Sequence, residues 1–326
     1  MADNEAYDVI IIGGGPGGLS AGIYAMRAAM KAVLIEKGVT GGQLALTDDV
    51  DNYPGIEHIG GPDLSMKITK HAQSYGLKIV NQEVISVDPG LNFHSVKLAD
   101  GSTLTTHAVI IGTGGYPRKL KIPGEDEGYG KGVSYCGVCD GFFFRGKTVV
   151  VIGGGDTAVE EALYLSKLAK QVYLVHRRDA LRAGMLLQER LKTDCNAEII
   201  WNSVVTAINV GADGVGSVAL KDTQTGEKSQ LTTDGVFIFV GFKPNNALVP
   251  SGTKMNADGY VITDEKCETN IPGVFVIGDL RQKYAKQIVI SAADGCTAAL
   301  AAAHYVETRK IPEDECELPE ALLEEN

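Results

Sequence analysis

The sequence predicts an α/β protein in which one nucleotide-binding unit is inserted into another. Two observations carry this prediction. An apolar strand, a glycine-rich turn and a helix follow one another near residue 13, and the same pattern returns near residue 153. Glycines at such a turn let the backbone approach a pyrophosphate closely, and the helix N-terminus offers free N–H groups to its charge. A chain of 326 residues is long enough for two full cores.

The composition is that of a globular protein, and it argues against several functions. Hydrophobic residues make up 44% of the chain and charged residues 22%, so neither disorder nor a fibrous repeat is indicated. The net charge of -11 disfavours nucleic-acid binding and attraction to an anionic membrane. The acidic start does not resemble a signal peptide, and we expect no apolar run long enough to cross a membrane. We therefore expect a cytoplasmic protein.

The first glycine turn follows an apolar strand at residues 8–12 and reads Gly-x-Gly-x-x-Gly. A second strand ends at Glu36, where a carboxylate can accept hydrogen bonds from two ribose hydroxyls. This context makes a plain glycine-rich turn the weaker interpretation. The turn predicts a dinucleotide site that includes Gly13, Gly15, Pro16, Gly18 and Glu36.

The stretch that follows carries less specific signals. Polar, turn-forming residues at 41–44 and 51–55 fit either a loop that lines a ligand or an ordinary surface turn. Periodicity predicts an amphipathic helix over 61–75 and an antiparallel hairpin region over 79–104. A strand at 108–111 then leads into Gly112–Pro117, whose three glycines and proline indicate a cofactor contact and the start of a hinge.

The second glycine turn repeats the first but differs at one position. Its predicted contacts are Gly153, Gly155, Asp156, Thr157 and Ala158, with Ala158 replacing the third glycine. Glu36 lies 23 residues after Gly13, and the residue at the same offset after Gly153 is His176. Three arginines follow it, and guanidinium groups bind a 2′-phosphate through charge-assisted hydrogen bonds. His176, Arg177, Arg178 and Arg182 therefore predict that the second nucleotide is NADPH.

A closely spaced cysteine pair, Cys136 and Cys139, precedes the second turn, and Asp140 follows it. This spacing permits a redox-active dithiol, and it also fits half of a zinc site. The other cysteines, at 195, 267, 296 and 316, form no second close pair, so no metal site is expected. Cys296 is expected in the core and Cys316 in a solvated acidic tail. Only the setting between two nucleotide-binding units favours redox chemistry.

Strand patterns over 198–234 complete the inserted unit, and a final strand over 235–245 ends in a second glycine- and proline-containing connection. The predicted domains are therefore 1–116 and 245–326 for the outer unit and 117–244 for the inserted one. Beyond the second connection, a strand at 273–277 leads to Asp279, and a helix rich in small residues is predicted over 287–305. The two connections can act as a two-strand hinge.

Over nearly its whole length the chain resembles the low-molecular-weight bacterial thioredoxin reductases. The resemblance is carried by the two glycine turns, Gly41–Leu44, Asn52–Gly55, Cys136–Gly141, the basic cluster and Gly278–Asp279. It implies two Rossmann-like domains of the three-layer ββα type, the NADPH domain inserted into the FAD domain, and a homodimer. It also implies electron flow from NADPH through FAD and the cysteine pair to thioredoxin.

The resemblance also implies residue roles. Glu36 would hold the FAD ribose, Gln43 and Asn52 would lie near the flavin ring, and Asp279 and Gln287 would contact the ribityl side. Thr113 and Gly114 would line the same site. Cys139 would face the flavin, Cys136 would attack the substrate disulfide, and Asp140 would be the general acid. The chain departs from the usual pattern at Gly137-Val138, where members often have Ala-Thr, at Gly112–Gly115, and at Lys286, where arginine is common.

Other functions remain open at this point. The chain could reduce another small redox carrier, or return electrons from a dithiol to oxygen, although the basic cluster favours a pyridine nucleotide donor. It could also be a redox sensor whose dithiol gates binding without turnover, or a zinc-binding scaffold. Bleaching of a bound flavin by NADPH, followed by thioredoxin reduction, separates an enzyme from a sensor.

Overall fold

The computed structural model describes residues 6–47, 49–193 and 196–310. The chain forms two compact units, one made of residues 6–115 and 244–310 and the other of Tyr116–Lys243. We call them the outer unit and the inserted unit. Each boundary falls one residue before the predicted one. Cys195, Cys316 and most of the acidic tail lie outside the described residues.

The α-helices separate the strands in chain order. They are α1 Pro16–Arg27, α2 Gly61–Ser74, α3 Gly137–Asp140, α4 Asp156–Leu165, α5 Met185–Thr193 and α6 Ile288–Lys310. Short 3₁₀ turns occur at Gly42–Leu46, Gly141–Phe144, Asn246–Leu248 and Gly278–Leu280. Both α1 and α4 begin directly at a glycine turn, as the strand-turn-helix pattern predicts.

The strands fall into two groups with a short linking pair. Up to the first connection they are β1 Tyr7–Ile12, β2 Ala32–Glu36, β3 Asp49–Val50, β4 Ile59–Gly60, β5 Lys78–Asn81, β6 Val84–Asp88, β7 His94–Leu98, β8 Thr103–Ile111 and β9 Gly115–Pro117. The inserted unit contains β10 Val133–Ser134, β11 Thr148–Gly153, β12 Gln171–Val175, β13 Ala197–Ile200, β14 Ser203–Gly211, β15 Gly214–Asp222, β16 Lys228–Thr232 and β17 Gly235–Phe239. They are followed by β18 Phe242–Pro244, which pairs with β9, and β19 Val274–Val276.

The outer unit is built on one sheet in the order β5-β2-β1-β8-β7-β6, with β19 paired to β8. Alternation along β1 sends Val9 and Ile11 to a core shared with α1 and α6, and Ile10 and Ile12 to a core shared with β6 and β7. The sheet therefore has helices on one face and an antiparallel layer over the other. This is the three-layer arrangement that the sequence predicts.

Strand β8 differs from the prediction. Its first half pairs antiparallel with β7, and its second half, Ala108–Ile111, pairs parallel with β1. The sequence suggested a hairpin region that ended at 104 and a separate strand from 108. The structure joins them because Thr106 is fully buried and continues the alternation without a turn.

The inserted unit repeats the plan on a smaller scale. Its parallel sheet has the order β10-β17-β11-β12-β13, and a separate antiparallel sheet has the order β14-β15-β16. Val149 and Val151 of β11 face a core that includes α4 and α5, whereas Val150 and Ile152 face a core that includes β14 and β15. The predicted pair of Rossmann-like folds is confirmed.

Helix α6 corrects one prediction. Its segment Ile288–Arg309 reaches a mean hydropathy of 1.2, so by length and composition it passes the test for a membrane span. The expectation that no apolar run reaches this length was wrong. Ala298, Ala299 and Ala302 on this helix are fully buried in the core with α1, and Asp294 within it forms an ion pair. These contacts are those of a core helix, whose small side chains allow close packing.

Candidate active site

The first glycine turn is closely packed. Gly13 has a φ of 103°, a left-handed conformation that glycine adopts without strain, and a side chain there would overlap the Gly112 carbonyl. A side chain at Gly18 would overlap the carbonyl oxygen of Gly13. By contrast, a Cβ at Gly15 would meet nothing within 4 Å. The turn therefore packs closely against neighbouring backbone at Gly13 and Gly18, whereas the space beside Gly15 is open.

Glu36 lies at the end of β2 and organises this turn. Its Oε2 accepts a hydrogen bond of 2.7 Å from the Gly14 N–H, and its Oε1 accepts one of 2.9 Å from the Gly38 N–H. Gly41 adds a bond of 2.7 Å from its N–H to the Gly14 carbonyl. Gln43 follows, exposed, in the 3₁₀ turn that begins at Gly42. The structure thus joins the predicted ribose-binding acid to the phosphate-binding turn.

Other predicted residues of the outer unit also meet in pairs. Asn52 Nδ2 lies 3.4 Å from Gln287 Oε1, although 235 residues separate them in the chain. Thr113 donates from Oγ1 to the Asn245 carbonyl at 2.7 Å, and the Asn245 N–H donates to the Gly114 carbonyl at 2.9 Å. Asn245 was not predicted as a site residue. Its backbone contacts depend on the return of the chain from the inserted unit.

Asp279 lies in a buried charge network that sequence reasoning missed. Its Oδ1 is 3.4 Å from Lys283 Nζ, and this ammonium group is also 3.4 Å from Asp294 Oδ2. Arg281 pairs with Asp294 at 2.7 Å. Burial raises the pKa of Asp279, and the positive charge of Lys283 opposes that rise. Lys283 and Arg281 lie close to Asp279 in the chain, whereas Asp294 comes from α6, which no local motif connects to Asp279.

Lys286 and Cys267 lie beside this charge network. Lys286 Nζ lies 4.6 Å from the centre of the Tyr260 ring, and burial lowers the pKa of this lysine. Cys267 is buried with Arg281 Nη1 at 3.3 Å from its sulfur, and burial raises its pKa to about 12. Cys267 is therefore an unreactive core thiol.

The outer unit fits a bound dinucleotide. No side chain caps the N-terminus of α1, so its first N–H groups are available to a phosphate. Among the described residues, the only partner of the buried Asp279 Oδ1 is Lys283 Nζ at 3.4 Å, so this oxygen has capacity left to accept a hydrogen bond from a ligand hydroxyl. The open space at Gly15 lies at this same helix end.

In the second glycine turn a histidine occupies the position of Glu36. His176 is buried, with Nδ1 2.7 Å from the Gly153 carbonyl oxygen and Nε2 3.0 Å from that of Ala180. A side chain at Gly154 would overlap the imidazole ring. His176 therefore packs against the backbone of the second glycine turn.

The three predicted arginines lie beside this turn and are exposed. The Arg182 N–H donates to the Gly154 carbonyl at 2.7 Å, and a Cβ at Gly155 would lie 3.9 Å from Arg182 Nη2. Asp156, at the start of α4, accepts a bond of 2.8 Å from the Gly184 N–H. In the described part of the chain no acidic side chain pairs with Arg177, Arg178 or Arg182. Because α4 has no side-chain cap either, this turn also fits a phosphorylated ligand.

The cysteine pair is a disulfide at the start of α3, with the two Cα atoms 5.3 Å apart. Cys136 is the N-cap residue, and its sulfur accepts a hydrogen bond of 3.1 Å from the Cys139 N–H. The Ser134 hydroxyl donates to Asp140 Oδ2 at 2.5 Å. The pair is therefore joined as a disulfide, which the redox interpretation requires. Ser134 was not predicted, because its contact with Asp140 depends on how β10 enters the helix.

Glu161 on α4 is a second residue that the sequence did not single out. Its carboxyl group lies directly under Gly137, where any side chain would overlap Oε2. Burial raises the pKa of Glu161 to about 7, while a hydrogen bond from the Gly137 N–H lowers it. No motif marks this residue, but the glycine between the cysteines is a signal that something lies close to the helix there.

Comparisons with known proteins agree with this architecture. Residues 7–295 match the family described as pyridine nucleotide-disulphide oxidoreductase. Thioredoxin reductase from Bacillus subtilis is 45% identical over 94% of this chain and 97% of that protein, and the one from Helicobacter pylori is 43% identical over 92% and 99%.

Two solved structures extend the likeness to three dimensions. Thioredoxin reductase from Streptococcus pyogenes aligns with a TM-score of 0.90 at 41% identity, covering 94% of this chain and 100% of that one. The FR conformation of the Lactococcus lactis enzyme aligns with a TM-score of 0.63 at 42% identity, covering 93% and 99%. The resemblance expected from the motifs is confirmed, and the chain belongs to the pyridine nucleotide-disulphide oxidoreductase family, with thioredoxin reductases among its similar relatives.

Proposed function

We propose that this chain is a thioredoxin-disulfide reductase that uses FAD in the outer unit and NADPH in the inserted unit. The observation that carries the proposal is the disulfide at the N-terminus of α3, in the same unit as a phosphate-binding turn flanked by unpaired arginines. The relatives named thioredoxin reductase support thioredoxin as the protein substrate. We further propose that the enzyme is a cytoplasmic homodimer, as the resemblance implies.

The cofactor assignments follow from the charge beside each turn. In the outer unit Glu36 presents a carboxylate, which suits ribose hydroxyls and repels an additional phosphate. In the inserted unit Arg177, Arg178 and Arg182 present positive charge that suits a 2′-phosphate. When bound, the nicotinamide and the flavin would supply hydride and electron transfer.

The chain's own residues would handle the disulfide exchange. Once the disulfide is reduced, Cys136 at the helix N-cap is held by the Cys139 N–H, a position that stabilises a thiolate. This thiolate would attack a thioredoxin disulfide, and Cys139 would then resolve the mixed disulfide, which releases reduced thioredoxin and restores the Cys136–Cys139 bond. Asp140, held by the Ser134 hydroxyl, is placed to give and take the proton.

A surface suited to a protein partner lies beside the disulfide. Val138, Phe142 and Phe143 are 47%, 56% and 38% exposed, although large apolar side chains are usually buried. The Arg145 guanidinium group lies 5.5 Å from the centre of the Phe142 ring, at the edge of this apolar surface. An apolar surface next to a reactive sulfur supports a folded protein, rather than a small thiol, as the substrate.

Turnover would require the inserted unit to change its orientation. The dithiol and the proposed FAD turn belong to different units, and the dithiol has to serve both the flavin and thioredoxin. The two solved relatives have nearly equal identity to this chain but very different TM-scores, so these two structures differ from each other in overall arrangement. This difference supports rotation about the two connections.

The test is NADPH oxidation by the purified, FAD-loaded chain with thioredoxins and glutaredoxins from the same cell. We expect rapid oxidation with at least one thioredoxin and little with glutaredoxins. Oxidation with a glutaredoxin alone would assign a different carrier, and flavin reduction without disulfide reduction would refute the proposal. An engineered disulfide that locks the two units should leave one half-reaction and abolish turnover.

A further inference from the structure

The contact between α3 and α4 contains a half-buried acid, Glu161, next to the glycine between the two cysteines. A side chain at Gly137 would overlap Glu161 Oε2, and a Cβ there would also lie 3.5 Å from Leu165 Cγ. Gly141, at the other end of α3, is similarly close to Leu165 and Tyr164. The two glycines allow α3 to lie flat on α4, so the Glu161 carboxyl group reaches the first turn of the helix that carries both cysteines.

The Glu161 carboxyl group is only partly compensated in this position. The Gly137 N–H, an N-terminal donor of α3, hydrogen-bonds to it and favours its charged form. Burial outweighs this bond and raises its pKa to about 7, with a further contribution from Glu160. In the described chain Oε2 is buried and has no hydrogen-bond partner. Near neutral pH, Glu161 is therefore present in both protonation states.

The same helix end also serves Cys136. The Cys139 N–H donates to the Cys136 sulfur, while the Gly137 N–H serves Glu161, so the two groups share the positive end of one short helix. A thiolate and a carboxylate at one helix end repel each other. Each therefore makes the other harder to ionise.

The other titratable groups nearby do not compensate this repulsion. Those on the two helices are Asp156, Glu160 and Tyr164 on α4 and Cys139 and Asp140 on α3, and those on the adjacent α5 are Glu189, Arg190 and Lys192. Of these, Glu160 alone contributes to the Glu161 pKa, and it adds to the negative charge. No basic side chain contributes among the described residues.

We propose that Glu161 is a positioning residue that controls formation of the Cys136 thiolate by exchanging a proton with water as the disulfide is opened and closed. This inference rests on the proposed function, because it deepens the role of the same dithiol. Two electrons, from the flavin that the outer unit would bind or from dithiothreitol in a test, break the S–S bond; the Cys139 sulfur takes up a proton and becomes a thiol, and the Cys136 sulfur is left as a thiolate. Glu161 then takes up one proton from water, and Cys136 keeps its thiolate. When Cys136 attacks a disulfide, the charge leaves and Glu161 releases the proton.

Gly137 makes this arrangement specific to chains that lack a side chain there. Members of the family often have alanine at this position, and an alanine Cβ would occupy the space of Glu161 Oε2. The variant Gly137→Ala should therefore displace the carboxyl group while leaving both cysteines in place.

The test uses the full chain, reduced with dithiothreitol, and measures the alkylation rate of Cys136 by iodoacetamide from pH 5 to 9, with the modified peptide quantified by mass spectrometry. Glu161→Gln should leave alkylation below pH 6 nearly unchanged, because Glu161 is already protonated there, and should make alkylation at pH 8 about fivefold faster, where the original chain carries the Glu161 charge. Gly137→Ala should change the profile in the same direction but less. Glu161→Asp, which keeps the charge, should restore a profile close to the original.

The matched control is Glu227→Gln, an exposed glutamate in the turn after β15, which should leave the profile unchanged. Superimposable profiles for the original chain and Glu161→Gln would overturn the inference, as would an equal shift in the control. If Glu161→Gln does not fold, as judged by circular dichroism, the Gly137→Ala profile decides alone. The assay uses neither NADPH nor thioredoxin, so its result is independent of whether the proposed activity is found.

Discussion

The two glycine turns have the same backbone plan but are supported by opposite chemistry. At the end of β2, the Glu36 carboxylate accepts hydrogen bonds from the N–H groups of Gly14 and Gly38. At the same offset after the second turn, the His176 ring lies between the carbonyl oxygens of Gly153 and Ala180. The Glu36 carboxylate accepts hydrogen bonds from backbone N–H groups, whereas the His176 imidazole faces backbone carbonyl oxygens. One position thus supports the turn in both units while changing the charge offered to a nucleotide.

The two turns also differ in how closely their helices approach the strand. A side chain at Gly18 would overlap the Gly13 carbonyl, whereas the corresponding position of the inserted unit accepts the fully buried Ala158. Only the inserted unit has a disulfide next to its turn. Under the proposed function, the closer turn of the outer unit would hold FAD, and the inserted unit would bind and release NADPH.

The largest expected effect comes from removing one sulfur of the inserted unit. Cys139→Ser should lower NADPH-dependent disulfide reduction more than about a thousandfold, because the mixed disulfide has no resolving thiol and the internal disulfide cannot form. Reduction of the bound flavin by NADPH, followed by its absorbance, should continue. Cys296→Ser is the control, because Cys296 is a free cysteine in α6. Retention of both activities in Cys139→Ser would remove Cys139 from the mechanism.

The next effect tests the positive charge of the second turn. Replacing Arg177, Arg178 and Arg182 together with alanine should raise the KM for NADPH about a hundredfold, since each charge-assisted hydrogen bond contributes about 1.5 to 3 kcal/mol and part of this is lost to solvent. The KM for NADH should change little. Steady-state kinetics with both nucleotides measure the difference, with Arg27→Ala in the outer unit as the control. An equal loss for NADH would contradict the assignment of the 2′-phosphate.

A smaller effect is expected at the first turn. Glu36→Gln keeps the shape but weakens two hydrogen bonds to backbone N–H groups and one charged contact to the ribose, so FAD affinity should fall about tenfold. Reconstitution of the cofactor-free chain with FAD, followed by flavin fluorescence, measures this. Glu83→Gln, which removes an exposed ion pair of 3.6 Å with Lys37, is the matched control. Unchanged affinity in Glu36→Gln would separate Glu36 from the cofactor.

The smallest effect concerns stability, and it belongs to the inserted unit alone. The pKa of Glu161 is raised from 4.5 to about 7 by burial, so the folded chain loses stability as the pH rises through this range, while the unfolded chain ionises freely. Glu161→Gln removes this loss. The free energy of unfolding of Glu161→Gln, relative to that of the original chain, should be about 1 kcal/mol higher at pH 8 than at pH 4, after allowance for solvent screening. Urea unfolding at pH 4 and at pH 8 measures this difference. If the variant is stabilised equally at the two pH values, ionisation of Glu161 is not the cause.

Much of this site could be predicted because its chemistry is local in sequence. The glycine turns, Glu36, the arginines and the cysteine pair each lie within a few residues of a strand end, and strand ends converge in a parallel sheet. The contacts between Asn52 and Gln287 and between Asp294 and Arg281 require segments that come together only in the folded chain.

Glu161 shows most clearly what could not be predicted from the sequence. In the sequence it is one of two adjacent glutamates on an amphipathic helix, and nothing distinguishes it from its neighbour Glu160. In the structure Glu161 is half-buried and Glu160 is exposed, because Glu161 faces the glycine between the cysteines. Likewise, the alanine-rich composition of α6 suits both a membrane span and close packing in a core. Its contacts with α1, and not its hydropathy, identify the role.

The way the chain leaves and re-enters the outer unit has a consequence for how such proteins arise. In the outer unit the Asn245 N–H donates to the Gly114 carbonyl at 2.9 Å, and in the inserted unit the Arg118 N–H donates to the Gly241 carbonyl at 2.9 Å. The two ends of each unit are therefore neighbours. A gene segment could be spliced in or out at this point with a linker of only a few residues, and each half would keep its own core. The architecture is thus that of two separable modules, and the duplication of one ancestral nucleotide-binding fold needs no rearrangement beyond a single insertion.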